Sequence, residues 1–110
     1  GFGSGDSWLP QPSDWGAQSV EAQDGVSGSV LEFYRSALAL RASSWLNSGD
    51  LTWLELDAHA IAFERNGYLC ITNFGDSEIQ LPDGDLLLAS DNSSDATTIA
   101  ANTTVWIKRP

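Results

Sequence analysis

The pair Asn66-Gly67 constrains this chain more than any other feature. It lies between two β-prone runs, Ala60–Arg65 and Tyr68–Phe74. Both residues tolerate positive φ, which a two-residue type I′ turn demands at each central position. With Asn66 and Gly67 as the loop, Arg65 stands opposite Tyr68, Phe63 opposite Cys70 and Ile61 opposite Thr72. These side chains share one face of the ladder, while Ala62, Leu69 and Ile71 share the other. Both faces are apolar at their centres, so the spacing predicts a central hairpin covered on both sides.

From Leu51 onward every element reads as a short strand. Leu51–Leu56 comes first, then a turn at Asp57-Ala58-His59. After the hairpin come a turn at Gly75-Asp76, a strand over Glu78–Leu81 and the turn Pro82-Asp83-Gly84. Within Asp85–Ser90, Leu86, Leu87 and Leu88 form a continuous apolar run suited to a buried strand. Asp91–Asp95 is a polar loop, and Thr103–Lys108 alternates Val105 and Ile107 against Trp106. Closely spaced short strands separated by turns point to an antiparallel sandwich.

One helix precedes them, over residues 29–46. Ser29 and Glu32 have capping-box spacing, and Val30, Phe33, Tyr34, Ala37, Leu38, Arg41 and Trp45 recur at helical period. Leu31 and Leu40 widen the apolar face beyond what a lone surface helix needs. Asn47-Ser48-Gly49 supplies the stop. Gly1–Gly28 is rich in Gly, Ser, Pro and Asp, with turn chemistry at Gln11–Asp14. Phe2, Trp8, Leu9 and Trp15 interrupt it, and tryptophans in such a segment need a surface to pack on. The expected fold is mainly β: a small antiparallel β-sandwich of six to seven strands, preceded by one α-helix and a loop-rich N-terminal segment.

Composition narrows the partners. The chain has 110 residues, 42% of them hydrophobic, enough for one modest core. A formal net charge of −10 disfavours both nucleic-acid phosphates and anionic membrane surfaces. No apolar run reaches transmembrane length and no secretory leader pattern opens the sequence. The single cysteine, Cys70, allows no internal disulfide. The expected location is cytoplasmic. The chain has no methionine and opens at Gly1, which suits a segment of a longer protein.

Candidate chemistry is sparse. His59, the only histidine, sits in a turn without the further His or Cys partners that a metal site or nucleophile–base pair needs. Cys70 lies mid-strand among apolar residues, where thiols behave as small hydrophobes. Glu55 and Glu64 are strand carboxylates best explained as solvent-facing. Asn92-Ser93-Ser94 and Asn102-Thr103-Thr104 match the glycosylation acceptor pattern, a pattern common by chance. No glycine-rich phosphate loop and no Gly-x-Ser-x-Gly elbow occurs. The residues thus nominate no catalytic group, no metal ligand and no cofactor.

The N-terminal segment and helix nonetheless carry a resemblance. Gly1-Phe2-Gly3, Ser7–Trp15, Val20–Gln23 and the Leu-x-x-Tyr-Arg-x-x-Leu-x-Leu-Arg cadence of Leu31–Arg41 resemble a stretch of the α-glucosidases of the α-amylase superfamily, glycoside hydrolase family 13. Leu69–Phe74 is similar to a strand pattern of that family's C-terminal domain. One departure is visible: Asp24 is followed by Gly25-Val26-Ser27-Gly28, where the family often has Asp-Pro before the helix. The resemblance covers nearly the whole chain. It implies that residues 1–49 are the end of a catalytic (β/α)₈ barrel (loop 1–28, last helix 29–46). Residues 50–110 would then be a C-terminal antiparallel β-sandwich domain.

In that family two carboxylates perform retaining hydrolysis of α-glucosides, with a second aspartate in support. All three lie upstream of the stretch that this chain resembles, so none carries over. The implied partner is the catalytic barrel of the parent enzyme, packed through helix 29–46, Trp8 and Trp15, and the isolated chain would be inactive. An isolated chain would relieve the exposed face by disorder of residues 1–28 or by self-association. Two other readings stay open at this point: a stand-alone carbohydrate-binding β-sandwich module with tryptophans stacking on sugar faces, and a general interaction domain.

Overall fold

The computed structural model describes Gly5 and residues 8–43, 49–93 and 96–110. Expectations that rest on Phe2, Trp45, Leu46, Asn47 and Ser48 fall outside those residues.

The hairpin forms as its sequence predicts. β2 (Ala60–Arg65) and β3 (Tyr68–Asn73) pair with Arg65 opposite Tyr68, Phe63 opposite Cys70 and Ile61 opposite Thr72. Asn66 and Gly67 both take positive φ, 51° and 78°, as a type I′ turn requires. Around them a five-stranded antiparallel sheet runs in the order β1-β2-β3-β7-β5, where β1 is Leu51–Leu54, β5 Asp85–Ala89 and β7 Thr103–Lys108. A second sheet of two short strands, β4 (Ile79–Gln80) and β6 (Thr98–Ile99), completes a small β-sandwich.

Strand alternation explains where the core lies. Ala62, Leu69, Ile71, Ala89, Val105 and Ile107 point to the inner face, where Ile99 meets them from the second sheet. Leu54, Ala60, Ile79, Leu81 and Leu86 close the rim. Phe63, Cys70, Thr72, Thr104 and Trp106 alternate to the outer face.

Several expectations need correction. The run Leu86-Leu87-Leu88 is not a buried strand: β5 is a sheet edge, and its register shifts between Leu86 and Leu88. Leu87 is consequently exposed, and Ala89 is the residue that enters the core. At a sheet edge with a bulge, a continuous apolar run does not mean burial on both faces. β6 was not expected at all, because two residues give too little alternation to read. Glu55 lies beyond the end of β1 rather than within it.

The N-terminal segment is also more regular than its composition suggests. Trp15–Gln18 forms a 3-10 turn and Val20–Gln23 a single helical turn, α1, capped by the Ser19 hydroxyl. α2 spans Val30–Ala42, so among the described residues the helix stops short of the expected 46. At its end Ser43 turns to extended backbone and its hydroxyl donates to the Ala39 carbonyl (3.3 Å), a local bond that competes with helix continuation. At its start only half of the capping box forms. Ser29 accepts from the Glu32 N–H (3.2 Å), but the Glu32 carboxylate accepts from the Gly25 N–H (3.0 Å) instead of reaching back to Ser29.

Candidate interaction surface

The helix stripe is split between two surroundings. Phe33, Ala37 and Leu40 are half-buried and turn toward the outer face of the sheet, where Phe33 meets Trp106 at 6.3 Å between ring centroids. Val30, Tyr34 and Leu38, each one turn from the next, remain 65%, 60% and 59% exposed. No residue of α2 is buried. Helical period alone puts Val30, Tyr34 and Leu38 on one stripe with Phe33 and Ala37, but only the latter two turn toward the sheet; Trp45 lies outside the described residues. An apolar arc wider than about 100° exceeds what one sheet contact covers, and here the surplus faces water.

The segment before the helix extends that surface. Trp8, Trp15, Val20 and Val26 are at least half exposed. Between Val20 and Val26, Gln23 and Asp24 are tied to α2 and its cap by polar contacts. Gln23 Oε1 accepts from the Leu31 N–H (3.0 Å), the Ser29 hydroxyl donates to the Gln23 carbonyl (3.0 Å), and Arg35 bridges Asp24 and Glu32. The hydrogen bond to Asp24, and then the charge of Glu32, raise the Arg35 pKa above its ordinary value. The bond to Leu31 satisfies one of the amides that a helix start otherwise leaves open.

Between α2 and the sheet lies an open cleft of 520 Å³, with Phe33, Phe63, Tyr68 and Trp106 among its lining residues. Arg65 lines it too, and its Nε donates to the Gly49 carbonyl (2.9 Å). Further along the outer face Trp53, 68% exposed, stands edge-on to Phe63 with centroids 5.8 Å apart. Ile61 and Leu51 are exposed beside it in the ladder. The sequence reading missed this second patch, although Trp53 two residues from Leu51 on a first strand was a signal for it.

The residues weighed for chemistry are scattered. His59 is exposed, and its backbone N–H donates to Asp57 Oδ1 (2.8 Å) in the expected turn. It lines a polar cavity of 320 Å³ with Asp57, Asp76 and Glu78. Among the described residues no group of three His, Cys, Asp or Glu side chains is placed to hold a metal ion. Cys70 sits half-buried on the outer face, where burial pushes its thiol pKa up to about 11. Glu64 faces Arg109 at 3.4 Å, an ion pair rather than half of an acid–base couple. Asn92 and Asn102 occupy exposed, positive-φ turn positions. No helix among the described residues is long and apolar enough to cross a membrane.

No family model matches the chain, and no curated protein matches it either. Among solved structures it is similar to the crystal structure of an alpha-glucosyl transfer enzyme, XgtA, with a TM-score of 0.63 and 22% sequence identity. The match covers 94% of this chain and 22% of that one, so the chain spans less than a quarter of that protein's length. At this identity the likeness is one of fold. It takes in nearly the whole of this chain rather than the sheet alone.

Proposed function

We propose that this chain is the C-terminal structural part of an enzyme acting on α-linked glucosides, of the α-amylase superfamily kind. Residues 1–49 close the catalytic barrel and residues 50–110 form the C-terminal β-sandwich. One observation carries the reading: a match of 94% of this chain to about a fifth of an alpha-glucosyl transfer enzyme. A free-standing sandwich has no need of the preceding helix, whereas a barrel end supplies it.

The exposed stripe supports the same reading. Val30, Tyr34 and Leu38, with Trp8 and Trp15, present apolar side chains that a barrel wall would cover. Burying a side chain of this size contributes about 1.5–3 kcal/mol, so the contact would fix the sandwich rigidly to the barrel. The role of the chain is then structural, and the carboxylates of the reaction belong to the barrel. The proposed location is cytoplasmic.

The exposed ring of Trp53 favours a second reading, a sugar-binding sandwich in which that indole stacks on a pyranose face. Two measurements test them. The pure chain should not hydrolyse p-nitrophenyl α-glucoside, while the longer polypeptide that contains it should. Titration of the chain with maltose and isomaltose should leave its tryptophan fluorescence unchanged. Saturable binding abolished by Trp53→Ala would establish the second reading in place of the first, and saturable hydrolysis by the pure chain would refute both.

A further inference from the structure

We draw no further inference here: the strongest candidate, the open apolar cleft between α2 and the outer face of the five-stranded sheet, carries nothing because nothing in the structure shows what covers it.

Discussion

The side-chain amide of Asn73 donates to the backbone carbonyl of Ile99, 3.1 Å away across the core, and so ties the end of β3 to the second sheet. The same nitrogen lies 2.8 Å from the Ser77 carbonyl and 3.1 Å from that of Ala100, while Oδ1 accepts from the Gly75 N–H at 2.9 Å. Asn73 is fully buried, and among the described residues no buried side-chain polar atom lacks a partner. A single amide thus serves as the polar link between the two sheets and the 74–77 turn.

Asn73→Ala should therefore cost roughly 3 kcal/mol, because each buried group left without its bond costs about 1–3 kcal/mol. Asn73→Asp should be at least as damaging, since a carboxylate would face backbone carbonyls with no proton to offer. Urea midpoints of the two variants check this. A loss below about 1 kcal/mol for both would show that the link is dispensable.

Two glycines should rank in a definite order. Gly67→Val forces a β-branched residue to positive φ in the hairpin turn and should cost roughly 1 kcal/mol or more. At Gly84, with φ of 147°, an added Cβ would also stand 2.5 Å from the Lys108 carbonyl oxygen and 2.6 Å from Ile107 Cγ2. Backbone cannot yield as a flexible side chain does, so Gly84→Ala should lower the thermal midpoint more than Gly67→Val.

The edge bulge in β5 predicts a contrast two residues apart. Leu87→Ser should stay within about 0.5 kcal/mol of the parent, as surface changes usually do. Ala89→Asp places a carboxylate in the core beside Val105 and should abolish cooperative unfolding near neutral pH. The reverse ranking in circular-dichroism melts would restore the buried-strand reading of Leu86–Leu88.

Cys70 gives the pH dependence. Its thiol is raised from an ordinary 9.0 to about 11 by burial. Below 9.0 folded and unfolded chains both hold the proton. Between 9.0 and about 11 the unfolded chain loses it first, so stability should fall across that window. Cys70→Ala should flatten that part of the profile, and native Cys70 should alkylate with iodoacetamide at pH 8 far more slowly than the urea-unfolded chain. Equal alkylation rates would place the thiol in water.

Local chemistry made the central hairpin legible, because Asn66-Gly67 and two flanking apolar faces all specify one register. The cap at Ser29 was legible for the same reason. What the sequence concealed were features decided at a distance. The β5 bulge depends on β7, β6 is too short to show a period, and Glu32 is drawn from its cap by Gly25 and Arg35. Asn73 could have been found: it holds an inward position in the alternation Leu69, Ile71, Asn73, where a polar residue needs partners. The surplus apolar width was legible, but helical period put Val30, Tyr34 and Leu38 on one stripe with Phe33 and Ala37, and only packing against the sheet separates them.

The claim that the outer side of α2 is a covered surface in a longer glucoside-acting enzyme is tested most directly by Leu38→Asp, measured in two chains. In the 110-residue chain Leu38 is 59% exposed, and the change should cost no more than about 1 kcal/mol, the range of helix propensity. In the chain extended upstream of Gly1 the carboxylate would be buried against the barrel, and urea unfolding should show a loss of roughly 3 kcal/mol or more. The same small loss in both chains would mean that this face stays in water, contradicting the account.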